Sequence, residues 1–232
     1  MKSRSDVINN YYNNFFDLLC NSGIQGQGSK YIHEKIEACW ESDSAENILE
    51  IGAGDGAHFK YVRGVGRNAS YTALDIRRPK NPDAEIRVKD GFVKVSWALG
   101  SAEKLPFADE SFDRVVSTCL FHHLDDPYAA FQEVLRVLKP GGEFGVGMPT
   151  DPGILNRLIK RIYTFRRAKI LGYEEIELTY ALDHQNQIFG IMAIFENVFS
   201  NHKRMIKRFP FGWLGQFNFN LLVVAHASKK RV

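Results

Sequence analysis

The chain has 232 residues, of which 44% are hydrophobic and 25% are charged, a composition that excludes a disordered or fibrous protein. A net charge of +3 argues against nucleic acid as a partner. The three cysteines lack CxxC spacing and indicate neither a disulfide framework nor a cysteine-based zinc site. No apolar run approaches the roughly 18 residues that a membrane span needs, and the N-terminus lacks the apolar segment of a secretory signal. We therefore expect one cytoplasmic, enzyme-sized domain.

Two helices are predicted ahead of the first strand. Residues 5–20 place aromatic and aliphatic side chains at helical spacing and predict one amphipathic helix. Residues 21–29 contain three glycines and predict a loop, after which a second helix follows. We expect residues 1–45 to cover the active site of a domain that occupies residues 46–232.

Short apolar runs then alternate with helical segments over about 100 residues. The predicted strands are 48–51, 71–74, 92–98, 114–117 and 143–148, and helical character is predicted at 57–65 and 128–138. The Asp90-Gly91 pair predicts a hairpin turn between residues 86–88 and the strand at 92–98. The alternation indicates a parallel, doubly wound α/β sheet with right-handed crossovers.

The last third of the chain departs from this rhythm. Two helical stretches, 154–171 and 187–199, make residues 150–200 too long for an ordinary connection, and we expect a helical lid there. The final predicted strands, 203–209 and 217–227, are joined by a short linker and are therefore expected to be antiparallel.

A glycine-rich segment, Glu50-Ile51-Gly52-Ala53-Gly54-Asp55-Gly56, follows the first strand. Glycines allow a close approach of the backbone to a ligand, and the N-terminus of a following helix offers free N–H groups. Asp75 ends the second strand, where a carboxylate can accept hydrogen bonds from both hydroxyls of a ribose. The alternative is an ordinary aspartate that caps a loop.

Two further segments make the interpretation of this region as a nucleotide-binding site more specific. Gly100-Ser101-Ala102-Glu103-Lys104-Leu105-Pro106-Phe107 follows the third strand, where a polar side chain and a backbone N–H can read an adenine edge. Lys139-Pro140-Gly141-Gly142 precedes the fifth strand and is expected to stop the helix before it.

Taken in order, ILEIGAGDG, Asp75, GSAEKLPF with SFD, a histidine pair and LKPGG resemble the class I (Rossmann-like) S-adenosylmethionine-dependent methyltransferases. The resemblance is closest to the small-molecule group with LPF, SFD and HHL motifs, and it covers about residues 45–150. It implies an α/β fold with a doubly wound, mostly parallel seven-stranded sheet, helices on both faces and an antiparallel last strand. The implied cofactor is S-adenosyl-L-methionine, with S-adenosyl-L-homocysteine as product.

The resemblance also implies which residues bind this cofactor. They are Glu50, Gly52, Ala53, Gly54 and Gly56 for the methionine and ribose, Asp75 for the ribose hydroxyls, Ile76 and the Ser101–Ala102 pair for the adenine, and Ser117 with Leu120 for the methionine end. Ser101 departs from the family, which often has aspartate there; serine still forms hydrogen bonds but lacks the charge. We also place Tyr11 or Tyr12 near the sulfonium, although packing alone explains both rings.

Three histidines are candidate catalytic residues. His122 and His123 follow the fourth strand at the carboxyl edge of the sheet, where an imidazole can take a proton from the acceptor. Packing at the turn into the next helix is the alternative. His184 is a candidate acceptor contact. No metal is expected, because adjacent histidines point apart and no third ligand is evident at useful spacing.

The predicted substrate is a small-molecule methyl acceptor. Basic side chains in the 150–200 insertion suit an anionic, nucleotide-linked or sugar-linked acceptor, or they form a solvated helix face. Alternatives are a protein or nucleic-acid methyltransferase, an NAD-dependent oxidoreductase and a non-catalytic cofactor-binding scaffold. No sequence feature indicates an oligomeric state.

Overall fold

A computed structural model describes residues 2–20, 23–41, 44–88 and 91–231, except for the side chain of Arg67. These residues form one eight-stranded sheet in the order β3-β4-β2-β1-β5-β6-β8-β7. The strands are β1 (Ala45–Ile51), β2 (Val65–Asp75), β3 (Glu85–Val88), β4 (Gly91–Leu99), β5 (Phe112–Thr118), β6 (Leu138–Pro149), β7 (Lys203–Phe209) and β8 (Leu222–Ser228).

The predicted fold class is confirmed, with one strand more than the seven expected. Strands β4, β2, β1, β5 and β6 are parallel, and the last strand, β8, is antiparallel to both β6 and β7. The eighth strand is β3, which pairs antiparallel with β4 at the sheet edge. The predicted hairpin is therefore present, although Asp90 of its turn lies outside the described residues.

Helices cover both faces of the sheet. They are α1 (Arg4–Asn14), α2 (Phe16–Cys20), α3 (Gly23–Glu37), α4 (Pro127–Val137), α5 (Ile154–Ile159), α6 (Phe165–Ile170), α7 (Ile176–Asp183) and α8 (Ile188–Val198). A π-helical turn at Lys160–Thr164 joins α5 to α6. Among the described residues, no helix has the length and apolar character that a membrane crossing requires.

The predicted loop at 21–29 is wrong for residues 23–29, which belong to α3. This helix packs against β6 at Gly145 and Gly147, where added Cβ atoms would lie only 2.5 Å from Trp40 and 2.6 Å from Ile32. Burial of Ile32 and Ile36 stabilises by about 1.5–3 kcal/mol each, whereas each of the three glycines in this helix costs about 1 kcal/mol. Tertiary packing therefore outweighs the glycine signal.

The two N-terminal segments have different neighbours. The single helix predicted at 5–20 breaks at Phe15 into α1 and α2. These two short helices form an aromatic cluster with α6 and α7, built on the buried residues Tyr11, Leu19, Ala168, Tyr173 and Ile176. Helix α3 instead covers a sheet face. Because α3 covers a sheet face, the expectation that residues 1–45 cover the active site now applies only to α1 and α2.

The predicted lid at 150–200 includes a helix, α8, that belongs to the core of the domain. Helix α8 buries Ile191, Met192 and Phe195 against α4 and the sheet, in the same core as Phe131 and Phe144. It is therefore a structural layer between β6 and β7. Helices α5, α6 and α7 remain as the segment that follows the carboxyl end of β6.

Candidate functional site

The glycine segment lies where the strand order of the sheet reverses. Strand β1 is flanked by β2 on one side and by β5 on the other, and all three run parallel. The loops that leave their carboxyl ends therefore diverge to opposite sides. Open α/β sheets bind ligands in the crevice that this divergence creates.

Three glycines give the loop after β1 its shape. Gly52, Gly54 and Gly56 have φ values of +71°, +54° and +79°, a region that other residues rarely adopt. A Cβ atom on Gly52 would lie 2.9 Å from Leu120, and one on Gly56 would lie 2.3 Å from Phe59. A Cβ atom on Gly54 would meet no described atom within 4 Å. Gly54 therefore presents open backbone on which a ligand can rest.

The helix predicted at 57–65 is wrong. Only a 3-10 turn at Phe59–Tyr61 follows the glycine loop, and β2 already begins at Val65. The backbone turns tightly because His58 and Phe59 are both buried, the first on the carboxylate of Glu37 and the second against Tyr71. The site therefore relies on the loop itself, and no helix N-terminus contributes.

Asp75 fastens the end of β2 to the glycine loop. Its Oδ2 accepts the N–H of Gly54 at 2.9 Å, and its Oδ1 accepts the N–H of Arg77 at 2.9 Å. A carboxylate is an acceptor with about four lone-pair positions. Two positions therefore remain for ribose hydroxyls. Ile76 beside it is 76% exposed, which leaves an apolar surface on which an adenine ring can pack.

The remaining cofactor candidates line the ends of neighbouring strands. The Ser101 hydroxyl accepts the N–H of Glu103 at 3.1 Å, and Ala102 is buried in the core, so that residue can offer only its backbone. The Ser117 hydroxyl is buried and donates to the carbonyl of Ile51 at 3.2 Å. Both serines thus hold loop geometry, and Leu120 supports Gly52.

Glu50 lies behind the loop, with 1% of its surface exposed. The Tyr71 hydroxyl donates to its Oε2 at 2.8 Å. Burial raises the pKa of the Glu50 carboxyl to about 7. Glu50 would therefore contribute to cofactor binding indirectly, by supporting the glycine loop.

The two tyrosines of α1 have separate roles. Tyr11 is buried in the aromatic cluster, with its hydroxyl 3.3 Å from Sγ of Cys20. The Tyr12 ring lies under the Arg77 guanidinium at 4.4 Å, and its hydroxyl donates to Oδ2 of Asp183 at 2.9 Å. Tyr12 alone of this pair contacts the segment that follows Asp75, so the proposal of a tyrosine beside the cofactor rests on it.

The three predicted catalytic histidines form one cluster. The ring of His122 lies 3.9 Å from that of His123 and 4.4 Å from that of His184, and the last two are 5.1 Å apart. The expectation that adjacent histidines point apart is wrong, because a 3-10 turn at Phe121–His123 brings the two rings together. His184, at the end of α7, supplies the third ring.

Two aspartates that the sequence analysis missed orient these rings. His123 Nδ1 lies 3.2 Å from Oδ2 of Asp183, and His184 Nδ1 lies 3.0 Å from Oδ2 of Asp151, which also pairs with Lys160. The position of Asp151 just after the end of β6 was the available signal. Burial lowers the pKa of His184 to about 4.

Asn186 holds the two halves of the cluster together. Its side-chain amide donates to the carbonyl of Leu124 at 2.5 Å and to that of Phe121 at 3.4 Å, while its backbone N–H donates to the carbonyl of His122 at 3.2 Å. The turn after β5 and the segment after α7 are thereby fixed to each other.

Comparison with known proteins finds similar methyltransferases. Residues 49–146 match the family model described as a methyltransferase domain. A demethylmenaquinone methyltransferase of Tropheryma whipplei is 33% identical over 141 residues, which are 59% of this chain and 57% of that protein. The phthiotriol/phenolphthiotriol dimycocerosates methyltransferase 1 of Mycobacterium ulcerans is 35% identical over 102 residues, 43% of this chain and 36% of that protein.

A solved structure extends the likeness over the whole chain. An S-adenosylmethionine-dependent methyltransferase of Thermotoga maritima, described as a possible histamine N-methyltransferase, superposes with a TM-score of 0.60 at 18% identity, covering 98% of this chain and 100% of that one. The matched segment is a methyltransferase domain, and these findings together support a class I S-adenosylmethionine-dependent methyltransferase. The family predicted from the ordered motifs is confirmed. The chain spans between 35% and 59% of the length of the first curated relatives it matches.

Apart from Lys160, the basic residues of the 150–200 insertion do not converge on the histidine cluster. Arg157, Arg161, Arg166 and Lys169 are exposed, and Lys160 alone among the basic residues of this helical segment is buried, on Asp151. Arg167 donates to the carbonyl of Leu18. The structure thus favours the solvated helix face over an anion-binding surface.

Proposed function

We propose that this chain transfers the methyl group of S-adenosylmethionine to a small-molecule acceptor held beside His122, His123 and His184. The observation that carries the proposal is the open backbone of Gly54, tied to the buried carboxylate of Asp75 at the point where the strand order reverses. That arrangement suits a ligand with a ribose, and the family is defined by a cofactor that has one.

The residues around the loop fit this cofactor. Asp75 retains acceptor positions for two hydroxyls, Ile76 offers an apolar surface beside them, and Gly54 allows close approach. When bound, S-adenosylmethionine supplies a methyl group already activated on a sulfonium. The protein then has to position the acceptor for in-line attack and to exclude water.

The acceptor side is built by α1, α7 and the turn after β5. Leu120 contacts the glycine loop, and the histidine cluster begins two residues further along the chain. Tyr12 links the two regions through Arg77 and Asp183. An acceptor beside the histidines thus lies next to the methionine end of the cofactor site. The demethylmenaquinone named for one relative is a small molecule, which supports a small-molecule acceptor here.

Calorimetry tests the cofactor. We expect the purified chain to bind S-adenosylmethionine and S-adenosylhomocysteine saturably at 1:1 stoichiometry and to give no heat with NAD. Saturable binding of NAD without binding of S-adenosylmethionine would instead identify an oxidoreductase. Methyl transfer is then followed from radiolabelled cofactor into separate metabolite, RNA and protein fractions. Label confined to the protein or RNA fraction would refute the small-molecule acceptor.

Gly54→Ala is expected to lower the affinity for S-adenosylmethionine at least tenfold. The added methyl group would occupy the open surface above the loop, and the φ of +54° would strain the backbone by about 1–2 kcal/mol. Gly215→Ala is a matched control, because Gly215 has a φ of +66° with no described atom within 4 Å of an added Cβ, in the loop between β7 and β8. It should cost similar stability and leave affinity unchanged. Equal affinity loss in both variants would exclude contact at Gly54.

A further inference from the structure

The histidine cluster has the composition of a metal site. One ring nitrogen from each of His122, His123 and His184 lies within 4.8 Å of the other two. A tetrahedral ion bound by imidazole at 2.0–2.1 Å would hold its nitrogens about 3.3 Å apart. No two of these nitrogens are therefore more than about 1.5 Å farther apart than one ion requires. Asn186 already holds both backbone segments in place.

Two of the rings are oriented as metal ligands usually are. His123 and His184 each place Nδ1 on a carboxylate, Asp183 and Asp151 respectively. Donation from Nδ1–H fixes the tautomer and leaves the lone pair of Nε2 free, as in carboxylate–histidine–metal arrangements. Asp183 is itself held by Tyr12 and Asp151 by Lys160. These contacts hold the two rings in fixed orientations.

The third ring carries an unexplained buried atom. His122 is 5% exposed, and its Nδ1 has no hydrogen-bond partner among the described residues. A buried polar atom without a partner costs about 1–3 kcal/mol, and such atoms call for a bound water or ion. The charged groups against the cluster, Asp151, Asp183 and Lys160, sum to one negative charge, which favours a cation.

We propose that His122, His123 and His184 bind one divalent transition-metal ion of the zinc class. Three imidazoles with an open fourth position form the ligand set of catalytic zinc sites, and imidazole selects such ions over magnesium or calcium. The proposal deepens the proposed function and rests on it in one respect: the open position takes an oxygen or nitrogen atom of the acceptor. The aspartates and Tyr12 are positioning residues for this site.

Cobalt titration of the untagged full chain, stripped of metal by dialysis against a chelator, tests the proposal. We expect visible absorption bands of four-coordinate Co²⁺ that saturate at 1:1 stoichiometry and disappear when Zn²⁺ is added. His184→Ala should weaken binding more than tenfold, and Asp151→Asn, which preserves the three ligands, about 10- to 100-fold. His202→Ala is the control, since His202 bonds the backbone of Lys230 at the opposite edge of the sheet.

The outcomes separate this proposal from the proposed function. Absence of saturable Co²⁺ binding, or equal binding by wild type and His184→Ala, would overturn the metal site. Loss in His202→Ala as great as in His184→Ala would do the same. Binding of S-adenosylmethionine to the metal-free chain is measured in parallel. Cofactor binding without Co²⁺ binding defeats only the metal site, and Co²⁺ binding without cofactor binding defeats only the methyltransferase assignment. Thermal melting of each variant confirms folding.

Discussion

Asp75→Asn is expected to weaken binding of S-adenosylmethionine by about 10- to 100-fold. The carboxylate of Asp75 accepts one backbone N–H on each oxygen, from Gly54 and from Arg77. An asparagine places an NH2 group where one carboxylate oxygen lies, so one acceptor position for a ribose hydroxyl disappears. A charge-assisted hydrogen bond to the ligand, worth about 1.5–3 kcal/mol, is then lost. Since 1.4 kcal/mol corresponds to a tenfold change, the loss spans about one to two orders of magnitude.

Isothermal titration of wild type and variant measures the effect. Asp83→Asn, on an exposed residue of the loop that follows β2, is the control and should bind as wild type does. Thermal melting distinguishes loss of contact from loss of fold. Unchanged affinity in Asp75→Asn, with wild-type binding intact, would show that the ribose is held elsewhere.

The cofactor side of the site could be predicted because its signals are local. Gly52, Gly54 and Gly56 need positive φ within five residues, and Asp75 is the last residue of the neighbouring strand. Parallel pairing of β1 with β2 brings these two strand ends together whatever the rest of the chain does. Strand order and loop composition therefore sufficed to place the loop and its carboxylate at one edge.

Elements that depend on distant packing were predicted poorly. Helix α3 forms over residues with three glycines because Gly145 and Gly147, more than 100 residues later, let it approach the sheet. The helix expected at 57–65 does not form because His58 finds a buried partner in Glu37. Neither reason is visible in a local pattern.

The histidine cluster also combines a local sequence signal with an association that depends on distant packing. The pair at His122 and His123 was identifiable from its place after a strand, and His184 was noted separately. Their association depends on α7, whose position relative to the turn after β5 is set by the side chain of Asn186 and by contacts between α1 and α7. Spacing along the sequence indicated no third histidine near this pair, whereas the fold brings one from 61 residues away.

Glu50→Gln is expected to stabilise the folded chain by about 3 kcal/mol at pH 8 and by much less at pH 5. Burial raises the pKa of the Glu50 carboxyl from 4.5 to about 7. Between these values the unfolded chain releases a proton that the folded chain keeps, so stability falls as the pH rises through this window. A shift of this size corresponds to about 3 kcal/mol. Glutamine resembles the protonated acid and avoids the penalty, while its amide oxygen still accepts the Tyr71 hydroxyl.

Urea unfolding at pH 5, 6, 7 and 8 gives the difference in free energy of unfolding between variant and wild type. That difference should grow across the series, because the Glu50 carboxyl of the wild type ionises as the pH rises. The other charged groups around it, namely His58, Glu37 and Asp75, are common to both proteins. Glu46→Gln, on an exposed residue of the same strand, should give a difference that does not change with pH. Parallel profiles for Glu50→Gln and wild type would mean that the Glu50 carboxylate is stabilised where it lies. Buried charge would then be available to the glycine loop at neutral pH, and the support that Glu50 gives the cofactor site would be electrostatic as well as steric.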